Sequence, residues 1–409
     1  MSKSLGSYDT TLLKSTRSRR AGMIFLLGSL VSFGPLSIDM YLPSLPVLAK
    51  GLHTSTSLSQ LSLTFCLIGL SLGQLVAGPL SDTRGRRLPL LCGLVLYTVS
   101  SLLCAFSSSI WVLILLRLIQ GLSGGAGIVI ARAIVRDLYS GPELTKFFSL
   151  LMLVNGAAPI LAPIIGGQLL NITSWRGVFI VLSIAGAIMM LSTLYTLPET
   201  LPVDRRAKGG IKNTLSTIRN LAGDRLFMGY VLAQGMVTTA LFAYVSGSPF
   251  VLQDIFGVSP QMFSLFFAIN GSGIIIASQV TGRLAGRVGE AKLLLIGLGI
   301  AATGGVLLLA AILLGAGLAA ILPPLFMVVS SVGMVSSASF SLAMQNQGKA
   351  AGSASALLGL LSYVSGGIAA PLVGIAGNHS AVPMGIIIAL AEAGAVLSYL
   401  LLIRKRKSS

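Results

Sequence analysis

The sequence is poor in charge: only 10% of its 409 residues are Asp, Glu, Lys or Arg, against 54% apolar. Soluble domains carry about 25% charged residues. A chain this apolar cannot cover its surface for water, and it is not disordered either. Acids are the scarcest charged groups, 11 in all, and the only histidines are His53 and His379, both in expected loops. Proton chemistry within a membrane would therefore rest on a few carboxylates. The three cysteines, Cys66, Cys92 and Cys104, sit in apolar runs without Cys-x-x-Cys spacing, so neither a disulfide nor a metal site is expected. The chain lacks a nucleophile–base pair, a Walker loop and a soluble domain, which argues against an enzyme, a cofactor, a membrane sensor and direct ATP drive.

What the chain has instead is a series of apolar runs bounded by charge, Gly or Pro. They give twelve expected spans: 21–43, 58–80, 88–107, 110–131, 146–170, 175–197, 226–249, 260–282, 291–314, 317–345, 350–376 and 382–403. Each has room for the ~20 residues of a spanning helix. The first is too long for a signal-peptide core and lacks a small-residue cleavage site, so it reads as an uncleaved span. The net charge of +17 is a matter of topology rather than of nucleic-acid binding. With both termini in the cytoplasm, 25 of the 28 Lys and Arg fall on that side; the exceptions are Lys50, Arg117 and Arg176. So lopsided a split requires an even number of spans.

The polar stretch 198–225 falls at the midpoint and carries six basic residues. It divides the chain into a tail (1–20), a six-helix half (21–197), a linker (198–225) with a short interfacial helix expected near 211–221, a second half (226–403) and a tail (404–409). The halves echo each other. Gly78-x-Leu80 followed by Gly85 recurs as Gly282-x-Leu284 followed by Gly289. The expected fold is an all-α integral membrane protein of twelve helices in two pseudo-symmetric halves, a transporter architecture.

Four segments carry functional signals. Between spans two and three stands Gly78-Pro79-Leu80-Ser81-Asp82-Thr83-Arg84-Gly85-Arg86-Arg87. A positive-inside loop explains its arginines but neither Asp82 nor the two glycines. A cytoplasmic latch explains all of them, with Gly85 in a tight turn and Asp82 paired to Arg86. In span four, Arg117-Leu118-Ile119-Gln120-Gly121 puts a charge where it costs about 2.5–3.5 kcal/mol unless it faces a cavity or partner, or snorkels outward. Span five holds Pro159, Pro163, Gly166 and Gly167, which bend the helix and permit close crossing. The first span ends Ser37-Ile38-Asp39-Met40-Tyr41-Leu42-Pro43, with Asp39 in the outer part of the bilayer. Asp39 either exchanges a proton within a cavity or caps backbone before Pro43.

The loop and the Arg117 segment resemble signatures of the major facilitator superfamily. The span-five run resembles its antiporter motif, with Ala158 and Ala162 in place of glycines. The first-span segment, with the run Arg132–Tyr139, resembles the Bcr/CflA drug-resistance branch over the whole chain. The resemblance implies a proton-coupled antiporter in a bacterial cytoplasmic membrane. It would export small hydrophobic antibiotics of the bicyclomycin, chloramphenicol and sulfonamide kinds by alternating access, as a monomer in the lipid bilayer. The alternative is an uptake symporter or facilitator for a sugar or metabolite. The resemblance also joins Asp137 to Gly78, Asp82, Gly85 and Arg86 in a cytoplasmic gate. The expected coupling and substrate residues are Asp39, Arg117, Gln120, Tyr41, Met40, Asn155 and Tyr244. Glu392, halfway along span twelve, is the other acid deep within a span. It is expected to have a local role.

Overall fold

The computed structural model describes residues 17–139, 141–206, 219–345, 351–377 and 379–404. Among them run twelve long helices: α1 (Arg17–Asp39), α2 (Thr56–Arg84), α3 (Arg87–Phe106), α4 (Ile110–Leu138), α5 (Gly141–Leu169), α6 (Trp175–Thr196), α7 (Arg225–Phe250), α8 (Pro260–Val288), α9 (Glu290–Leu313), α10 (Leu318–Met344), α11 (Ala351–Val373) and α12 (Val382–Ser398). In eleven of these places the chain is helical and apolar for long enough to cross a membrane, and in α5 the stretch Gly156–Leu169 is a shorter apolar helix. Local chemistry sets several starts. Ser55, Ser174, Asp224 and Ser259 each accept a backbone N–H at the first turn of α2, α6, α7 and α8.

The helices follow the apolar runs but depart from them at the ends. The first span was expected to reach residue 43. Instead α1 stops at Asp39, a 3-10 turn covers Leu42–Ser44, and a short helix resumes over Leu45–Gly51. Pro43 and Pro46 have no N–H to continue the ladder. Conversely, α2, α4 and α8 run four to seven residues beyond their expected ends at 80, 131 and 282. Their last turns are polar, and nothing there breaks a helix. The expected loop after α2 therefore shrinks to Gly85 and Arg86. Gly85 (φ 92°) and its repeat Gly289 (φ 86°) make the two sharp reversals that only glycine adopts easily. The interfacial helix expected near 211–221 falls mostly on 207–218, outside the described residues.

The halves pack alike. In the first, α2 lies on α4, α1 on α4 and α5, and α3 on α4 and α6. Advancing every helix by six gives the contacts of the second: α8 on α10, α7 on α10 and α11, α9 on α10 and α12. The α2–α4 crossing is close because it is glycine-lined. A Cβ at Gly69, Gly73, Gly121 or Gly125 would run into the backbone of the facing helix. Helices α3, α6, α9 and α12 present exposed apolar side chains such as Leu103, Ile188, Leu307 and Leu397, the surface a bilayer covers.

Two seams join the halves, α2 with α11 and α5 with α8. Polar hooks hold both seams toward the end opposite the chain termini. On one seam Ser57 donates to the Pro371 carbonyl (2.7 Å), Thr64 to that of Gly367 (2.7 Å) and Gln60 to that of Ser246 (2.9 Å). On the other, Ser264 donates to Pro163 (2.7 Å), and Gln261 donates to Gly167 (2.9 Å) and Asn171 (2.8 Å). At the rim Lys50 pairs with Asp254 at 2.9 Å. These contacts must open if the halves rock. Cysteines at 171 and 261, joined by a short thiol cross-linker, should stop substrate flux, and cleaving the linker should restore it. Unchanged flux in the cross-linked protein would show that this seam stays closed throughout the cycle.

Candidate functional site

The break at the end of α1 is organised by a buried arginine. Residues 37 and 41 lie about one turn apart on the face that α1 turns toward its own half. There Arg117 of α4, fully buried, donates Nη2 to the Ser37 carbonyl (2.8 Å) and Nη1 to Gln120 Oε1. Its guanidinium also lies over the rings of Tyr41 (4.8 Å to the centroid) and Phe179 (5.6 Å). Gln120 in turn donates to Ser101 (2.7 Å), while Ser37 Oγ meets Tyr97 OH (2.7 Å) and Tyr41 OH meets Ser62 Oγ (3.0 Å). Among the described residues Arg117 has no carboxylate partner. Carbonyl, amide and aromatic faces offset its buried charge. Arg117, Gln120 and Tyr41 thus lie together in the core of the first half. Arg117 neither snorkels nor pairs with Asp39.

Asp39 points the other way. Two positions beyond Ser37, it falls on the opposite side of α1, buried, and no ion pair or hydrogen bond holds its carboxylate among the described residues. The phenols of Tyr244 (α7) and Tyr363 (α11), from the second half, lie within Coulombic range of it. Tyr244 is itself fixed, accepting from Asn270 Nδ2 (3.0 Å) and stacking on Phe267 at 5.4 Å. Burying an unpaired carboxylate charge costs several kcal/mol, which a proton or a cationic ligand can offset. Met40, the next residue, is buried, and its carbonyl packs against Gly166. The side chain of Asn155 lies outside the described residues.

The glycine pair of α5 serves both partners of that helix. A Cβ at Gly166 would strike the Met40 carbonyl just past the end of α1, within the same half. At Gly167 it would meet Ser264 at 2.5 Å and the Pro260 carbonyl of α8 at 3.1 Å, across the seam. Pro163 and Pro159 lie one and two turns earlier, with the Pro163 carbonyl taking the Ser264 hook. Helix α11 repeats the device unannounced by any motif: Gly366 packs on Phe242 of α7, and Gly367 on Thr64 of α2.

The expected gate is a network of the first half. Arg86 donates Nε to Asp137 (2.9 Å) and Nη1 to Ser81 (2.8 Å), and pairs with Asp82. Burial pulls the Arg86 guanidinium down, but the hydrogen bonds and charges of Asp137 and Asp82 outweigh it and raise it above its ordinary value. Gly78 faces Val129 of α4. Sequence reasoning missed Glu199. Its carboxylate accepts the backbone N–H groups of Arg86 (2.8 Å), Arg87 (3.2 Å) and Leu201 (3.0 Å), capping α3. Thr200 adds a bond to Asp137 (3.2 Å). The available signal was an acid directly after Pro198, where the linker leaves the sixth span. Glu392 lies apart, almost fully buried against Gly305 of α9, with both carboxylate oxygens unpartnered.

Two matched six-helix halves, joined along two seams with an unpaired carboxylate between them, define a membrane transporter. The chain belongs to the Major Facilitator Superfamily, which matches residues 25–371. It is 47% identical over 393 residues to an uncharacterized MFS-type transporter, YdgK, of Bacillus subtilis, covering 96% of this chain and 98% of that protein. It is 30% identical over 386 residues to a bicyclomycin resistance protein homolog of Haemophilus influenzae, covering 94% and 97%. In structure it is similar to a bacterial homolog of the lysosomal transporter Spinster in an inward-facing conformation. That likeness has a TM-score of 0.74 at 14% identity, covering 95% of this chain and 99% of that one. The sequence thus falls with the drug-resistance transporters of the superfamily.

Two outcomes are expected here. Arg117→Ala should lower thermal stability sharply, by about 3 kcal/mol or more, because it strands the Ser37 carbonyl and Gln120. Arg117→Lys should rescue it only in part, lacking the fork that reaches both. Glu199→Gln should cost about 1 kcal/mol and speed amide exchange at residues 86 and 87 without touching the seams. Melting curves and hydrogen exchange check both.

Proposed function

We propose that the protein exports small hydrophobic antibiotics in exchange for protons, with Asp39 as the coupling carboxylate. The observation that carries this reading is Asp39 itself: a buried acid without a partner, at a helix break, facing tyrosines of the opposite half. Similarity to the bicyclomycin resistance protein homolog supports drugs as cargo. The distribution of lysine and arginine supports termini in the cytoplasm of a bacterial inner membrane. With that orientation the hooked ends of the seams are periplasmic, and the conformation described is inward-facing.

The cycle then runs as follows. A drug enters from the cytoplasm and binds by shape and apolar contact, a mode that tolerates varied ligands. Its cationic or hydrogen-bond-donating end displaces the proton of Asp39. The halves, 21–197 and 226–403, rock about linker 198–225, breaking the periplasmic hooks. Arg86, Asp82 and Asp137 hold the cytoplasmic ends of α2, α3 and α4 as one body while this happens. A proton from outside returns to Asp39, and the drug leaves. The Arg117 network keeps the α1 break, and therefore Asp39, in place. The working unit is one chain, since both seams and the acid lie within it.

The test is drug-induced proton movement in inverted vesicles, read with a pH-sensitive dye over an antibiotic panel. Wild type should release protons for some drugs. Asp39→Asn should abolish proton-driven export while leaving binding of neutral drugs intact. Full pH-driven export by that variant would remove Asp39 from the mechanism. Accumulation of a sugar or metabolite without any drug response would favour uptake.

A further inference from the structure

Arg132 is the charged group between the halves that the mechanism leaves unused. It lies on α4 fifteen residues beyond Arg117, about 22 Å of helix rise toward the end that carries the chain termini. Its place on the helix is fixed by its neighbours one turn earlier: Ile128 packs over Gly34 of α1, and Val129 over Gly78 of α2. Arg132 therefore emerges between α1 and α2, toward α11 of the second half. Its Nε is buried with no hydrogen-bond partner, and no ion pair is found for it among the described residues. The nearby acids Asp82 and Asp137 are both engaged by Arg86.

The Tyr363 phenol of α11 lies close enough to Arg132 for their charges to interact were it ionised, which places it beside the guanidinium across the halves. This is unlike Arg117, whose charge is met by a carbonyl, an amide oxygen and two rings. Arg132 has a phenolic O–H for company, a donor that suits an incoming anion. Tyr363 also lies within Coulombic range of Asp39, so one tyrosine of the second half lies near both charged groups of the first.

We propose that Arg132 and Tyr363 form an anion-recognising subsite across the halves, which takes the carboxylate of small aromatic or otherwise hydrophobic organic acids. The rest of such a ligand extends between the halves toward Asp39. The inference rests on the transporter reading above and adds to it a substrate class and a specificity residue. A guanidinium that meets a ligand carboxylate gains a charge-assisted bond of about 1.5–3 kcal/mol, which is about tenfold to a hundredfold in affinity.

The experiment compares naphthalene-2-carboxylate with its methyl ester at pH 8, using the full chain in nanodiscs. Wild type should bind the acid at least about tenfold more tightly than the ester. Arg132→Gln should erase that preference and leave ester affinity unchanged, which also shows that the variant is folded. Arg132→Lys should restore part of the preference, and Tyr363→Phe should weaken it less than Arg132→Gln does. A preference that survives in Arg132→Gln, or is absent in wild type, overturns the proposal. The vesicle assay with neutral antibiotics separates the two readings. Drug-driven proton release by a wild type with no acid preference means that the subsite alone fails. Loss of both removes the exporter reading as well.

Discussion

The bond from Arg117 to the Ser37 carbonyl is the contact on which the polar interior depends. Helix α1 ends at Asp39, and prolines at 43 and 46 keep the chain from closing its ladder. A carbonyl left open there in a membrane interior needs a donor. Arg117 supplies it, and its remaining charge is spread over Gln120 and the faces of Tyr41 and Phe179. One buried cation thus fixes the depth and facing of the α1 break. The same geometry turns Ser37 and Tyr41 inward and leaves Asp39 on the opposite face, between the halves. The charged group nearest Asp39 in function is thus not its partner but the support of the backbone that carries it.

Relative movement of the halves requires seams that are close but can be undone. Both seams meet this need with glycine and hydroxyl groups rather than interlocked large side chains. On α5 the adjacent Gly166 and Gly167 face α1 and α8, one partner in each half; on α11, Gly366 and Gly367 face α7 and α2. Each helix is therefore in close contact with its own half and with the opposite one at neighbouring residues. Small changes in tilt alter one contact without tearing the other. The hooks from Ser57, Thr64 and Ser264 to carbonyls are neutral bonds worth about 0.5–1.5 kcal/mol each. Several close a face firmly, yet a ligand's binding energy suffices to exchange them.

The termini-side ends behave differently. Arg86 gathers Ser81, Asp82 and Asp137, while Glu199 caps the amides of Arg86 and Arg87. This network stiffens three helices of one half and ties the start of the linker to them. It is held by ion pairs, whereas the hooks along the two seams are neutral and the Lys50–Asp254 pair stands at the rim. Rigid bodies with soft seams are what a rocking motion needs, and the two kinds of polar contact are segregated accordingly.

Composition and the placement of lysine and arginine were enough to read twelve spans, their grouping into halves and the repeat at Gly85 and Gly289, because burial in lipid and membrane topology act on residue type. The pairing of Arg86 with Asp82 could be anticipated as well, since both stand within one turn of the reversal at Gly85 that the motif marks; Asp137 joined them only through the resemblance. Partners distant in sequence were not legible. That Arg117 would serve Ser37 rather than Asp39 depends on the facing of two residues in the last turn of α1, which apolar periodicity does not report in a span buried on most sides. Glu199 caps α3 from over a hundred residues away, and the Gly366–Gly367 pair has meaning only against α7 and α2. The sequence by itself determined how many long helices there are and where along the chain they lie. Only the tertiary structure decided which buried polar groups are paired and which stay open, because pairing depends on helix rotation and crossing. In an interior this poor in charge, a rotation of half a turn exchanges a paired polar group for an open one.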